Sequence, residues 1–541
     1  MFKIKRMRIT VILFGIMLLN VAALAQKVSI IPRPVQVIES QGSFILSHQS
    51  DIVMMGDPQQ LLPLAEQVKN ELSLYLIKPP DIVRSSNPKA GSVVFILDPS
   101  DTIGIEGYWL AITAKGIVIR SAGVAGLFYG FQSLRQMLPL PGAAKQKGIS
   151  LAFVEITDRP RFQWRGMHLD VSRHFMPKEF ILKYIDFLAM HKMNTFHWHL
   201  TDDQGWRIEI KKYPLLTGIG GWRKGTAIGH NSSKPRIYDN KPYGGFYTQE
   251  EIREIVSYAV ARHVTIVPEI EMPGHAQAAI AAYPWLGCRD TTIEVRMEWG
   301  ISRYIFNVSD TTFRFLEDVL TEVMDLFPSR YIHIGGDEAV KDQWMASAGI
   351  QTKIKALGLK DEDELQSWFI RRIESFLNAH GRRLIGWDEI TEGGLAPDAT
   401  VMVWRGTAAA WSATNEKHQV IMCPGSHCYF DNYQGFIDDE PLAIGGFTTT
   451  EKVYSFDPVP DYMAEENAKR IIGAQGNVWT EYILTPSQVE YMIFPRMTAL
   501  SEVLWSPRHT RSWVNFVPRL KVMMDRYKAM KINYRSTGIC R

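Results

Sequence analysis

Asp337 and Glu338 are adjacent acids that close the run Tyr331-Ile-His-Ile-Gly-Gly-Asp-Glu338. The run reads as a short buried strand that breaks at Gly335-Gly336 and delivers two carboxylates at its C-terminal end. Along an extended chain, neighbouring side chains point in different directions. An acid and a nucleophile on opposite sides of one glycosidic bond require carboxyl groups about 5 Å apart for retention and about 6.5 to 9.5 Å apart for inversion. Two neighbours on one segment are poorly built for that arrangement. The alternative is a division of labour on one side of a sugar, with Glu338 protonating the leaving oxygen and Asp337 holding another group. A plainer reading makes Asp337 the cap of a following helix and Glu338 part of its first turn.

The elements that would position this pair begin after Thr157-Asp-Arg-Pro, where short apolar runs alternate with amphipathic stretches. Eight strands are expected, at 166–172, 195–202, 265–273, 331–338, 383–389, 401–406, 420–425 and 472–481. Helices are expected at 177–191, 248–263, 311–327, 362–380 and 486–504. Eight such units over about 350 residues predict a (β/α)8 barrel, whose chemistry gathers at the C-terminal ends of its strands. A doubly wound open sheet is the rival, but it would carry a glycine-rich phosphate turn after its first strand, and none is present.

Reading the strand ends in turn gives Asp170 and Arg173; His197, His199 and Asp202; Glu269, Glu271 and His275; Asp337 and Glu338; Trp387 and Asp388; Trp404 and Arg405; Tyr429 and Asp431; Trp479 and Glu481. Indole faces suit the C–H surfaces of a pyranose, and charged forks suit its hydroxyls. His197-Trp-His199 has a spacing that can hold a metal in barrel hydrolases, yet alternation turns both imidazoles to one face, which equally suits a hydrogen-bonded structural pair. Asp202 and His275 fit a carboxylate fixing an imidazole that tunes the catalytic acid.

The remaining chain is less specific. Lys3, Lys5, Arg6 and Arg8 precede the apolar run Val11 to Leu19, and Ala23-Leu-Ala25 offers a cleavage site, so residues 1–25 read as a secretory signal peptide. An uncleaved anchor is the alternative, although the run is short for a span. Without that segment the balance is 56 basic against 57 acidic residues, which gives no nucleic-acid footprint. Residues 26–157 predict a small α+β domain, with a hairpin around Ala114-Lys-Gly and a helix from Ala125 to Leu138, acting as a structural companion. Residues 158–541 then form the catalytic barrel with a helical end. Cys288, Cys423, Cys428 and Cys540 match no zinc spacing, and pairing of Cys423 with Cys428 stays open.

These residues together resemble the β-N-acetylhexosaminidases of glycoside hydrolase family 20. The match runs through Arg165-Gly-Met-His-Leu-Asp-Val-Ser-Arg173, Asn194-Thr-Phe-His-Trp-His-Leu-Thr-Asp-Asp-Gln-Gly-Trp-Arg207, Glu269-Ile-Glu-Met-Pro-Gly-His275, His333-Ile-Gly-Gly-Asp-Glu338, Trp387-Asp-Glu, Val403-Trp-Arg and Gly476-Asn-Val-Trp-Thr-Glu481. The resemblance implies exo-action on terminal GlcNAc or GalNAc with the substrate's own 2-acetamido oxygen as nucleophile, which is an exception to the two-carboxylate scheme. By the same resemblance Glu338 is general acid and then base, and Asp337 orients the acetamido N–H. Tyr429 holds the acetamido oxygen, and Trp387, Trp404 and Trp479 wall the acetamido methyl and the sugar face. Arg173, Asp431 and Glu481 bind sugar hydroxyls, while Asp202 and His275 form the supporting relay. It implies no cofactor or metal, a glycan as the partner, no nucleic acid and no membrane insertion once the signal is removed. A glycan-binding module with a dead site and a metal-dependent amidohydrolase are the competing classes.

Overall fold

In the computed structural model, residues 28–289 and 291–538 are described, so the expected signal peptide and Cys540 lie outside the described residues. Asp158 is buried at the seam of two layers of structure. It ends the last strand of an N-terminal sheet whose seven strands are Gln36–Ser47, Ile52–Met55, Ile82–Val83, Ser92–Leu97, Tyr108–Thr113, Gly116–Ser121 and Gly148–Asp158. Numbered along the chain, they lie in the order 1-7-5-6-4-2-3. The expected hairpin is present, with Thr113 opposite Gly116, and the expected helix runs Val124–Met137. A second helix, Pro58–Ser73, starts on an Asp57 cap with Pro58 in its first turn. Both helices bury leucines, valines and aromatics against the sheet, among them Leu61, Val68, Leu127 and Phe131.

The rest of the chain closes the expected barrel of eight parallel strands: Trp164–Asp170, Thr195–His199, Thr265–Glu269, Tyr331–His333, Arg383–Trp387, Thr400–Val403, Val420–Met422 and Ile471–Gly476. The eighth pairs back onto the first, Gly473 to Trp164. Every strand ends earlier than its apolar run suggested, the fourth at His333 rather than Glu338.

Helix boundaries follow their caps. Thr248 and Glu251 form a reciprocal capping box for Gln249–Val260, Ser309 caps Asp310–Leu326, and Asp361 caps Glu362–Ala379. The single helix expected over 486–504 is two, Pro486–Ile493 and Arg496–Trp505. Pro495 lies at the break, where it has no N–H to give the preceding turn. No helix among the described residues is long and apolar enough to cross a membrane.

The two layers share polar anchors. Asp158 accepts hydrogen bonds from Tyr108 Oη at 2.7 Å, Lys192 Nζ at 2.9 Å and Trp505 Nε1 at 2.9 Å. Arg165 of the first barrel strand pairs with Glu106 of the N-terminal unit at 2.7 Å. Cys423 and Cys428 are buried free thiols.

Candidate functional site

The turn after the fourth barrel strand is not extended. Gly335 and Gly336 take φ values of 68° and 91°, and Glu338 itself sits at 48°. A Cβ on Gly335 would fall 1.7 Å from Glu271 Oε2, and one on Gly336 would fall 2.6 Å from Ile390 Cγ2, so only glycine fits at either place. Glu338 holds a left-handed conformation that costs a non-glycine residue on the order of 1 to 3 kcal/mol. The alternation expected for Asp337 and Glu338 therefore does not apply. The helix-cap reading fails too, because the next helix, Asp342–Ala346, starts after Lys341. Both carboxylates instead reach one imidazole: His275 Nε2 is 3.5 Å from Asp337 Oδ2 and 3.6 Å from Glu338 Oε2.

Behind that imidazole runs a chain of alternating charge. His275 Nδ1 lies 3.1 Å from Asp202 Oδ1 and 3.3 Å from Asp203 Oδ2. Asp202 Oδ2 is 2.8 Å from Arg173 Nη2 and 2.9 Å from His199 Nε2. The other nitrogen of His199 contacts Glu269, which also accepts from Trp387 Nε1 at 2.8 Å and faces His333 Nδ1 at 2.9 Å. Burial works against every charge here, but the partners outweigh it. Arg173 and His275 hold Asp202 well below the usual carboxylate range, Glu269 and Asp202 hold His199 up at about 10, and Asp202 and Asp337 hold His275 well above an ordinary histidine.

The His197-Trp-His199 pair turns both imidazoles inward onto Glu269, while Trp198 faces outward onto Tyr247 and Phe327. Burial pushes His197 down to about 4. Ligand-type atoms of His197, Glu269 and His333 lie close enough to share an ion. His197, His199, His333 and Trp387 all contact the Glu269 oxygens, a hydrogen-bonded arrangement around one carboxylate.

Asp337 is the other kind of acid. Burial raises it, Glu269 and Glu338 add to the rise, and His275 offsets part of it, leaving the carboxyl at about 6. Glu271, buried beside it, is pushed well above the usual range by burial and then by Asp337.

The remaining expected residues meet beyond the C-terminal ends of the barrel strands. Trp387 is 1% exposed, with Trp479 packed obliquely on it at 5.7 Å. Trp404 lies face to face with Tyr429, centroids 6.1 Å apart and planes at 27°. Tyr429 is fixed beside the eighth strand by a backbone bridge to Asn477. Arg173 Nη1 approaches Glu481 Oε1 at 3.9 Å, and Asp431 is buried with neither carboxyl oxygen paired among the described residues. Such buried acceptors, beside a cation, suit a cluster of hydroxyl donors. Two neighbours carry no expected role. Gln204 Oε1 accepts from Arg173 Nε at 2.9 Å, and Glu389 Oε2 accepts from Trp404 Nε1 at 3.0 Å. Both stand inside motifs that carry the resemblance, two positions after Asp202 and Trp387.

Two family models match the chain: "Glycosyl hydrolase family 20, catalytic domain" over residues 162–508 and "Glycosyl hydrolase family 20, domain 2" over residues 27–159. A beta-hexosaminidase of Porphyromonas gingivalis is 42% identical over 512 residues, which is 94% of this chain and 64% of that protein. One from Vibrio furnissii is 36% identical, covering 88% of this chain and 76% of the relative. Among solved structures, an exo beta-N-acetylglucosaminidase from Vibrio harveyi in complex with N-acetylglucosamine superposes with a TM-score of 0.83 at 32% identity, over 95% of this chain and 79% of the other. A beta-N-acetylhexosaminidase from Bacteroides fragilis gives 0.78 at 31% identity, over 93% and 96%.

Proposed function

Because the chain belongs to glycosyl hydrolase family 20, we propose that it removes terminal β-linked N-acetylhexosamine, GlcNAc or GalNAc, from the non-reducing ends of glycans, with net retention. The observation that carries this reading is that Asp337 and Glu338 share one side of one imidazole, an arrangement that suits an acid with a helper and not an acid facing a nucleophile. Glu338 gives its proton to the glycosidic oxygen as the bond to C1 breaks. The 2-acetamido carbonyl oxygen forms the new bond to C1, giving an oxazolinium ion. Asp337 accepts the acetamido N–H and faces the positive charge that develops there, a preorganised contact of the kind worth about 3 to 4 kcal/mol. Water then attacks C1, Glu338 takes its proton, and the ring opens to the acetamido sugar.

Tyr429 is assigned to the acetamido oxygen, Trp387, Trp404 and Trp479 to the acetamido methyl and sugar face, and Arg173, Asp431 and Glu481 to the hydroxyls. Asp202 and His275 support the acid. The relatives named as hexosaminidases and the contacts among these side chains support these roles. Export is supported by the leader-like composition of residues 1–25.

The test is hydrolysis of an aryl β-N-acetylglucosaminide and an aryl β-N-acetylgalactosaminide beside the matching β-glucoside, with and without a thiazoline mimic of the cyclised intermediate. Release from the acetamido sugars alone, blocked by the thiazoline and indifferent to chelator, is expected. Equal rates on the β-glucoside would overturn the substrate-assisted reading.

A further inference from the structure

Directly after the fifth barrel strand, the short 3-10 turn Asp388–Thr391 lies beside Trp404. Trp404 gives its indole N–H to Glu389 Oε2 at 3.0 Å. The next residue, Arg405, fastens to the same turn, with its Nε 3.2 Å from Asp388 Oδ1 and 3.8 Å from Glu389 Oε1 and its Nη1 2.8 Å from Glu392 Oε1. The turn also abuts the catalytic one, since Ile390 Cγ2 is the atom that a Cβ on Gly336 would strike. Glu389 is thus packed between the loop carrying Trp404 and the loop carrying Asp337, and it is only 7% exposed.

Its charge state fits that place. Burial, and then the nearby Asp337, push the Glu389 carboxyl up to about 8, so at neutral pH it is mostly the uncharged acid. An uncharged carboxyl receives the indole N–H without adding a second anion beside Asp337. Trp404 has only two side-chain torsions, and its ring is only partly covered. The N–H bond to Glu389 and the Tyr429 face both constrain its angle.

We propose that Glu389 is a positioning residue that sets how large a 2-acylamino group the site admits, by holding the Trp404 indole against Tyr429. The inference rests on the reading above, in which Trp404 borders the acetamido group. It adds a specificity determinant that touches no substrate.

The experiment uses aryl β-glucosaminides carrying N-acetyl, N-propanoyl and N-butanoyl groups. The wild-type enzyme should lose kcat/KM along the series. In Glu389→Leu the indole N–H loses its acceptor, an unpaired buried donor that corresponds to about a tenfold effect. The butanoyl-to-acetyl ratio of kcat/KM should therefore rise about tenfold, with KM for the acetyl substrate rising as well. Glu389→Gln keeps a carbonyl acceptor and should retain the wild-type ratio. Trp404→Phe, which keeps a ring but has no N–H, should shift the ratio in the same direction as Glu389→Leu and serves if the leucine variant does not fold. An unchanged ratio in Glu389→Leu or Trp404→Phe, with all three substrates slowed alike, would overturn the proposal, as would a Glu389→Gln ratio matching that of the leucine variant. Failure of the acetamido reading itself shows separately, as wild-type activity on the β-glucoside before any variant is made.

Discussion

Asp337→Asn should inactivate the enzyme on acetamido substrates and yet make the folded protein more stable at pH 7. Moving a carboxyl from 3.8 to about 6 on folding corresponds to about 3 kcal/mol. The sign follows from the direction. A carboxyl raised in the folded state costs nothing below about 3.8, where it is protonated in both states. The cost builds between 3.8 and about 6 and is complete above about 6. Asparagine has nearly the same shape and no charge to bury. It also gives up the attraction of His275, but that attraction is already contained in the raised value. Thermal midpoints of the wild type and the variant at pH 7 and at pH 4, read alongside turnover of an aryl β-N-acetylglucosaminide, test the argument. The variant should gain at pH 7, and the gain should shrink toward pH 4. A variant less stable than wild type at pH 7, or one with an equal gain at both pH values, would refute the electrostatic reasoning.

Glu338→Gln removes the proton donor and should cut kcat by about 10² to 10⁴; near-normal rates on an aryl substrate with a poor leaving group would sink its assignment as the acid. Gly335→Ala should destabilise the fold by at least about 2 kcal/mol, because its Cβ would overlap the Glu271 carboxyl and its φ is 68°, and a denaturation midpoint equal to wild type would contradict that overlap. Asp202→Asn leaves Arg173, His199 and His275 without their shared anion, which should cost about 3 to 5 kcal/mol of stability. Chemical denaturation monitored by tryptophan emission reads it, and a wild-type midpoint would mean the charge chain carries little.

The barrel was legible because its strands, buried on both faces, appear as apolar runs at regular intervals, and because the caps at Thr248, Ser309 and Asp361 are residues that compete for the first helical N–H groups. The strand ends were not legible. Residues 334–338, Ile-Gly-Gly-Asp-Glu, read the same whether or not they pair, and nothing local shows that Glu338 takes a positive φ. Asp202, Asp337 and Glu338 do come together around the one imidazole of His275. What sequence could not carry was the state of the acids. Glu271 and Glu389 look like any other glutamates, yet burial and then Asp337 push both of them up, Glu389 to about 8. Glu269 looks no different and is held ionised by the imidazoles around it. Composition cannot separate these outcomes, because each depends on which loop comes to lie beside which.

The seam around Asp158 bears on how such a protein can be taken apart. Lys192 and Arg165 belong to the barrel, and their counter-charges, Asp158 and Glu106, lie at or beyond its N-terminal edge. Cutting the chain between the two layers would strand two cations in apolar surroundings and uncover the face of Trp505. The N-terminal sheet is therefore not a detachable appendage. In recombination between related chains, natural or engineered, the crossover that preserves both halves is one that moves Glu106 and Asp158 together with the lysine and arginine they neutralise.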